Sequence, residues 1–378
     1  MTHRERVLAA LNHEEPDRVP MDLGGCLAST IVAPAYGALR AELGLPALAT
    51  RSDLKFASLA VIDDDVRTAL DVDIVHAPRA FGAGNAIRTI SEDRMIDEWG
   101  VLWHKPPRGH YYVEEAPFAK EATPAAVARH VWPRISELVQ TAGLAESIRK
   151  LRASTDCAIS LELRGRVMSM GQFLRGFEDW LMDLADNASF VEALLDRVTQ
   201  LQVQANDAIL REVGDLVDIV YTSDDLGGQQ GPLISPADVR RFFNPHFRTL
   251  WGHIRSHTNA KLMHHCCGSI YPLIPDLIDL GVQVLNPIQV SANHMEPAVL
   301  KREFDKHLSF WGAVDTRDVM PRGSTGDVRE EVRRRIGELG RGGGYIIAAV
   351  HNLQVEVPPA NVVELFRAGK ALGKYPLA

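Results

Sequence analysis

Two overlapping histidine–cysteine pairs lie within one short stretch of the chain, residues 261–268. His264 stands two positions before Cys266, and His265 stands two positions before Cys267. Side chains two apart on a strand point to the same side, so either pair can present an imidazole nitrogen and a thiolate to one metal ion. Zn²⁺ binds both ligand types, at roughly 2.0 and 2.3 Å. The alternative is two buried cysteines and two hydrogen-bonded histidines at a strand end.

Eight short apolar segments, each followed by a helical pattern, indicate the fold that positions this stretch. They lie near residues 20, 74, 160, 219, 263, 284, 310 and 347. Eight βα units in succession predict an α/β fold, a single (β/α)₈ TIM barrel made by one domain, residues 1–378. A doubly wound sheet is the alternative, but it usually has fewer strands, and no G-x-G-x-x-G fingerprint follows the first segment.

The segment from about residue 80 to residue 120 has a different pattern. Polar and apolar residues alternate there between turns, which predicts an antiparallel, β-rich insertion after the second barrel strand. Just before it, the sequence predicts a helix from Leu54 to Leu70.

Polar and ionisable side chains follow nearly every predicted barrel strand. In a barrel the active site lies at the carboxyl ends of the strands, so these side chains should meet at one rim. The residues at those ends are Asp22, His76, Glu162, Asp224, Asp225, His265, Cys267, Asn286, Gln289, Asp315, His351 and Asn352.

Catalytic zinc sites commonly use three protein ligands and leave a fourth position for substrate or water. His265 and Cys267 supply two, and His351, after the last strand, is the best third candidate. A rim histidine bonded to a carbonyl is the alternative for His351. Glu162 and Asp225 compete with Gln289 for the fourth place, or they act as general acids or bases.

Four other polar residues at the rim are assigned to substrate binding: Asp224, Asn286, Gln289 and Asn352. Asp22 is expected to cap the helix after the first strand. Cys26 and Cys157 have no neighbouring partner in the sequence and are expected to be small core residues.

Composition excludes several classes of protein. The 378 residues are 46% hydrophobic and 24% charged, with a net charge of −8, so no basic surface for nucleic acid is expected. Four cysteines are too few and too scattered for a disulfide framework, which favours a reducing compartment. The amino terminus lacks the apolar region of a signal peptide, and no run approaches about 18 apolar residues. We expect a cytoplasmic protein with no membrane span.

The order of several longer motifs resembles the uroporphyrinogen decarboxylase superfamily, in its branch of corrinoid-linked methyltransferases and O-demethylase-like proteins. The resemblance covers almost the whole chain. The motifs are RERVLAALNHEEPDRVPMDLGG, GQFLRGFEDWLMDLADN, YTSDDLGGQQGPLISPADVRRFFNPHF, HHCCGSIYPLIPDLIDLGVQVLNPIQVSA, FWGAVDT and GGGYIIAAVHNLQVEVPPANVVELF.

Two departures from the family pattern bear on the reaction. Uroporphyrinogen decarboxylases carry an arginine-rich segment, resembling WxMRQAGRY, that clamps substrate carboxylates. The equivalent stretch here, VPMDLGGCLAST, has no arginine, so decarboxylation of that tetrapyrrole is not expected. The zinc methyltransferases follow His-x-Cys with a late cysteine, and this chain has His351 there. Either His351 is the third ligand, or this branch has lost the metal.

The resemblance implies a zinc-dependent methyltransferase that moves a methyl group between a small methylated substrate and a corrinoid protein. The substrate would be a methyl ether, an amine or a thiol acceptor, with Asp225 and Glu162 as catalytic groups. The β-rich insertion is then a candidate docking element for the corrinoid protein. A decarboxylase or lyase on the same barrel, without a corrinoid partner, is the alternative. A non-catalytic binding protein is disfavoured because so many reactive groups share one rim.

Overall fold

The computed structural model describes residues 1–54, 58–81, 87–107 and 109–377. Strands within these ranges fall into a seven-stranded sheet, a four-stranded sheet and a two-stranded ribbon. In chain order they are β1 (Ser52–Leu54), β2 (Leu59–Ala60), β3 (Ile74–His76), β4 (Arg88–Thr89), β5 (Arg94–Ile96), β6 (Leu102–His104), β7 (Tyr112–Glu115), β8 (Ala158–Glu162), β9 (Ile219–Ser223), β10 (Lys261–His265), β11 (Val284–Asn286), β12 (Ser309–Val314) and β13 (Tyr345–Ala349).

Helices occupy most of the chain between the barrel strands. They are α1 (His3–Leu11), α2 (Ala33–Glu42), α3 (Asp64–Leu70), α4 (Pro124–Arg129), α5 (Ile135–Leu138), α6 (Leu144–Ser154), α7 (Met168–Arg175), α8 (Phe177–Asp186), α9 (Ala188–Val213), α10 (Pro236–Asp238), α11 (Asn244–His257), α12 (Ile274–Asp279), α13 (Pro297–Phe304), α14 (Val319–Arg322), α15 (Thr325–Leu339) and α16 (Pro359–Leu372). A π-helical turn, Val239–Phe243, precedes α11, and a 3₁₀ turn, Tyr271–Leu273, precedes α12.

The longest helix, α9, shows why these segments are helical and amphipathic. Its buried residues include Val191, Leu194, Leu195 and Val198, which recur at the three- and four-residue spacing of one helix face. That face packs into the core. Across the described ranges, no helix is both long enough and apolar enough to cross a membrane.

Seven parallel strands form a curled sheet in the order β13-β12-β11-β10-β9-β8-β3. This is the TIM-barrel-like α/β fold that the alternation predicted. The predicted first strand, near residue 20, is reduced to a single parallel bridge between Met21 and Ile347 of β13. The Met21 carbonyl also accepts a hydrogen bond from the Asp73 amide, 2.9 Å away, beside β3. Met21 therefore stands between the two edges of the sheet.

A buried cluster of charged side chains stabilises the contact between Met21 and the β3 edge of the sheet. The Asp73 carboxylate accepts hydrogen bonds from Arg6 (2.6 Å), from Arg18 (2.7 Å) and from the Met21 amide (2.6 Å). Pro20 has no amide hydrogen, which limits regular ladder pairing at this point. The Asp73 carboxylate thus accepts the hydrogen bond of the Met21 amide, which a neighbouring strand would accept in a regular sheet.

Apolar side chains fill two separate layers. One lies inside the barrel, where Met263, Trp311 and Ile346 from different strands pack with Val7 and Leu11 of α1. The other lies between the sheet and the surrounding helices and extends along most of the chain. The interior is therefore packed, and reactive groups have to collect at the strand ends.

Strands β4 to β7 form a separate antiparallel sheet between β3 and β8 in the chain. Its position agrees with the strand-like pattern predicted for that region, of which residues 82–86 and 108 lie outside the described ranges. Its status as an insertion stays a prediction.

The helix predicted from Leu54 to Leu70 is wrong over its first half. β1 and β2 pair antiparallel there, and only Asp64–Leu70 is helical; residues 55–57 lie outside the described ranges. Tertiary pairing overrides the local pattern, because the Ala60 amide donates to the Ile31 carbonyl at 2.9 Å.

Candidate metal and active site

The carboxyl ends of β10 and β13 bring three metal-ligand side chains together. His265 is the last residue of β10, Cys267 follows two positions later, and His351 lies two positions beyond β13. Ligand atoms of these three residues all lie within 4.8 Å of one another. The imidazole rings of His265 and His351 meet edge-on, with centroids 5.6 Å apart. The predicted trio therefore converges across the barrel mouth.

The spacing within this cluster suits a tetrahedral zinc site. Cys267 Sγ lies 3.4 Å from His265 Nε2. Nitrogen and sulfur ligands of tetrahedral Zn²⁺ stand about 3.5 Å apart, given bonds of roughly 2.1 and 2.3 Å. Cys267 lies beyond the end of the strand, so its loop, and not strand alternation alone, directs it toward His265.

The other histidine–cysteine pair faces away from this cluster. His264 is fully buried against Trp251, and its Nδ1 lies 3.0 Å from the Thr222 hydroxyl. Cys266 accepts a hydrogen bond from the Leu226 amide at 3.3 Å. The structure thus separates the two overlapping pairs and leaves only the second at the mouth.

Asn286 fixes which nitrogen of His265 is available. The Asn286 amide group donates to the Trp311 carbonyl at 3.2 Å, which leaves its oxygen, Oδ1, facing His265 Nδ1 at 2.6 Å. Because that oxygen only accepts, Nδ1 carries the hydrogen and Nε2 keeps a lone pair toward Cys267. Metal-binding histidines usually have such a partner behind them. Asn286, predicted to bind substrate, is buried and occupied in this role.

Burial sets the protonation of the ligand atoms. Burial lowers the pKa of His351 to about 4, with a further contribution from the neighbouring His265, so its imidazole is neutral at ordinary pH. Burial and the nearby Asp225 carboxylate raise the pKa of the Cys267 thiol. A divalent cation favours the thiolate in such a place, so this donor set fits Zn²⁺.

The two predicted catalytic carboxylates have different surroundings. Asp225 is exposed, and its Oδ1 accepts the Cys267 amide at 2.8 Å, which places it against the cluster. Glu162 pairs with Arg79 at 3.0 Å. Burial raises the pKa of Glu162, but Arg79, Arg166 and His76 outweigh it and lower the pKa overall. Glu162 is therefore a carboxylate at neutral pH, suited to position a cation or a hydrogen-bond donor as a fixed anion.

Three other residues predicted to bind substrate are engaged within the protein. Asp224 is buried and accepts hydrogen bonds of 2.6–2.8 Å from Val167, just before α7, and from the first residues of α7, including both the amide and the hydroxyl of Ser169. Gln289 Oε1 accepts the Gly268 amide at 2.8 Å, and Asn352 Oδ1 accepts the Thr30 amide at 3.0 Å. Each holds a mouth loop in place.

Gly227 and Gly268 allow the loop that carries Cys267 to pack closely against the loop after β9. A Cβ on Gly268 would lie 2.4 Å from the carbonyl carbon of Gly227, and Gly268 has a φ of +89°. The Ser269 amide also donates to the Gly228 carbonyl at 2.8 Å. The loops after β9 and β10 are thereby held together, with Asp225 and Cys267 between them.

Sequence reasoning placed His76 and Glu162 at the mouth but missed Tyr221 and Arg79, the residues that contact them. His76 Nε2 lies 2.8 Å from the Tyr221 hydroxyl, and Arg79 pairs with Glu162. A cavity of about 710 Å³ is lined in part by His76, Arg79 and Cys26, and not by the three ligand candidates. Arg79 directly follows Pro78, which ends the second predicted strand. A cationic residue at that strand end could have been predicted to lie at the mouth.

Comparison with known proteins places the chain in a family. Residues 165–372, more than half of the chain, match the model of the uroporphyrinogen decarboxylase (URO-D) family. The chain belongs to the uroporphyrinogen decarboxylase family. No curated protein matches this family member significantly by sequence.

Two solved structures resemble this uroporphyrinogen decarboxylase family member to different degrees. It is similar to a methyltransferase from Methanosarcina mazei, with a TM-score of 0.69 and 17% identity over 98% of this chain and 99% of that one. A B12-independent methionine synthase from Shewanella sp. W3-18-1 matches with a TM-score of 0.48 and 10% identity, over 94% and 96% of the two chains. The first likeness establishes the fold.

Proposed function

We propose that this protein is a zinc-dependent methyltransferase. It moves a methyl group between a small methylated substrate, which is a methyl ether, an amine or a thiol acceptor, and a corrinoid carried by a partner protein. The observation that carries the proposal is the convergence of His265, Cys267 and His351 at the carboxyl ends of β10 and β13. Those strand ends are where barrel enzymes place their chemistry.

The three side chains would hold Zn²⁺ and leave a fourth position for substrate. Zinc there supplies Lewis acidity, which lowers the pKa of a bound thiol or polarises the heteroatom that carries the methyl group. The chain's contribution is orientation. Asn286 turns the lone pair of His265 toward Cys267, and burial keeps His351 neutral.

Asp225 is the proposed proton carrier. It is exposed at the mouth and hydrogen-bonded to the amide of Cys267, so it can reach a group bound at the fourth position. In demethylation Asp225 gives a proton to the departing oxygen or nitrogen, and a reduced corrinoid on the partner protein would supply the electron pair that takes the methyl group. In the opposite direction a thiol loses its proton. Glu162, paired with Arg79, is proposed to position substrate as a fixed anion.

A corrinoid protein is the proposed partner because the methyl group must reach a cofactor outside this chain. The open end of the barrel is the face that must receive it. The antiparallel sheet β4–β7, which follows β3 and its mouth residue His76, is the proposed docking element.

A decarboxylase or lyase without a corrinoid partner is the second candidate, supported by the name of the family. The two candidates differ in product. One consumes or forms a methylcorrinoid, and the other releases a small fragment such as carbon dioxide with methylcobalamin unchanged.

The metal is tested on protein purified without added zinc. We expect about one equivalent at this site, lost in Cys267→Ser and reduced in His351→Ala, with Cys157→Ser as the matched control. Cys157 is buried just before β8, at the opposite end of the barrel. Zinc kept in His351→Ala but lost in Cys267→Ser would refute His351 as a ligand. Zinc equal in all variants would refute the site.

The reaction is tested by absorption spectroscopy. Methylcobalamin is offered with thiol acceptors, and cob(I)alamin is offered with methyl ethers and amines. We expect a zinc-dependent change in corrinoid spectrum that Cys267→Ser abolishes. Carbon dioxide release without any corrinoid change would support the second candidate instead.

A further inference from the structure

A second cluster of metal-ligand side chains lies on the outside of the barrel. Asp207 of α9 faces His253 and His257 of α11, and their ligand atoms lie within 4.8 Å of one another. The Asp207 Oδ1 atom is 3.7 Å from His253 Nε2 and 3.8 Å from His257 Nε2. Histidines four residues apart lie on one helix face, an arrangement that binds zinc elsewhere.

The cluster is far from the site at the mouth. Helix α11 ends at His257 and β10 begins at Lys261, so the cluster lies at the amino end of β10. His265 and Cys267 lie at the carboxyl end of the same strand. No residue is shared between the two sites.

His257 is held in the form that binds a metal. Its Nδ1 lies 2.8 Å from the backbone carbonyl of His253, which can only accept a hydrogen bond. Nδ1 therefore carries the hydrogen in the neutral ring, and Nε2 presents a lone pair to the Asp207 oxygen. A lone pair and a carboxylate oxygen that face each other in this way can both bind a cation placed between them.

His253 presents a second available nitrogen. Its Nε2 is buried and has no hydrogen-bond partner within the described residues. Burial, followed by the neighbouring His257, lowers the pKa of His253, so the ring is held neutral. A buried polar atom without a partner is costly, and a metal ion would satisfy it.

The distances suit a borderline divalent ion. Nitrogen and oxygen ligands of tetrahedral Zn²⁺ stand about 3.4 Å apart, given bonds of roughly 2.1 Å, and the observed separations from Asp207 are 3.7 and 3.8 Å. Two imidazoles and one carboxylate favour Zn²⁺, Co²⁺, Ni²⁺ or Cu²⁺ over Mg²⁺ and Ca²⁺, which prefer oxygen.

A third cluster, formed by His3, Asp156 and Cys157, lacks these properties. Both ring nitrogens of His3 are already bonded, to Asp156 at 2.7 Å and to Asp71 at 2.9 Å. Proximity of ligand side chains is therefore common to both clusters. The cluster at Asp207 differs because its histidines have ring nitrogens that are available to a metal ion.

We propose that Asp207, His253 and His257 bind one divalent transition-metal ion or Zn²⁺, which clamps α9 to α11. The two helices precede β9 and β10, so the clamp stabilises the outer layer over both strands. Arg211 competes for the same carboxylate, with its guanidinium 3.0 Å from Asp207 and its side chain 72% exposed. A bound metal ion would displace this exposed arginine from Asp207.

The test measures zinc per chain in untagged full-length protein that is stripped with chelator and dialysed against Zn²⁺. His257→Ala should bind one equivalent less than the native protein, and His307→Ala, which removes another exposed histidine, should bind the native amount. Zn²⁺ should also raise the unfolding temperature of the native protein more than that of His257→Ala. Equal zinc content in native protein and His257→Ala would overturn the proposal.

Arg211→Ala provides an independent measurement on a well-folded protein. Removal of an exposed ion pair should tighten zinc binding at this site by about two- to fivefold, and weaker binding would overturn the proposal. Cys267→Ser removes the equivalent at the barrel mouth. The two sites are therefore counted separately, and failure of one leaves the other measurable.

Discussion

The side-chain oxygen of Asn286 lies 2.6 Å from Nδ1 of His265, and this contact decides how the histidine is presented at the mouth. The two residues are opposite each other in the parallel pairing of β10 and β11. The register of β10 against β11 therefore places Asn286 beside His265 as its hydrogen-bond partner. A strand shifted by one residue would leave His265 without it.

Asn286→Ala should weaken zinc binding by about 10- to 100-fold, the usual effect of losing the partner behind a metal-binding histidine. Asn286→Asp keeps an oxygen acceptor and should bind zinc more tightly than the alanine variant. Competition with a chelator measures both. Native affinity in Asn286→Ala would show that the contact does not orient the ligand.

Asp225→Asn should lower turnover by about 10²-fold or more, because asparagine cannot exchange a proton at this position. The asparagine oxygen still accepts the Cys267 amide, so the loop should stay in place. Steady-state kinetics on the zinc-loaded variant, together with its circular dichroism spectrum, provide the measurement. Turnover equal to that of the native enzyme would remove Asp225 from the chemistry.

Asp73→Ala should destabilise the protein by about 3–5 kcal/mol, because it leaves the buried Arg6 and Arg18 without their shared partner. The barrel closes through Met21 beside this cluster, so the loss should affect global unfolding. Denaturant titration measures it. Asp156→Ala, whose side chain is 52% exposed, is the control and should cost less than about 1 kcal/mol. Similar losses in both variants would count against a closing role for Asp73.

The sequence predicted the parts of the fold that repeat. Short apolar strands alternating with helices give a local pattern, and the strand ends then collect His265, Cys267 and His351 without further information. What the pattern could not predict depends on contacts between distant residues. The pairing of Ala60 with Ile31 replaced a helix with a ribbon, and the Asp73 cluster reduced the first strand to one bridge.

At the candidate site, too, some features were predictable from the sequence and others depend on contacts between distant residues. Residue type identified the candidate metal ligands, since few side chains bind zinc. Residue type did not separate substrate-binding groups from supporting ones, because Asn286, Gln289 and Asn352 would look alike in either role. Their partners are backbone or ring atoms on other strands and loops, which only the folded chain brings near.

Asp22 provides a test of how a buried carboxyl group affects stability as the pH changes. It is 1% exposed, accepts the Gly25 amide at 2.7 Å and accepts the Trp311 indole N–H at 3.0 Å. Burial, the largest influence, raises its pKa to about 7. Unfolded, the same group titrates near 3.9.

Because the folded pKa is raised, the folded state favours the protonated acid. The stability that Asp22 contributes is therefore complete below about pH 4 and is lost as the pH rises through about 7. Asp22→Asn cannot titrate. Its free energy of unfolding, relative to the native protein, should rise between pH 4 and pH 8 by at most about 4 kcal/mol. The slope with pH is the readout, so any constant cost of the substitution cancels. Parallel stability curves for the two proteins across this range would show that Asp22 keeps an ordinary pKa.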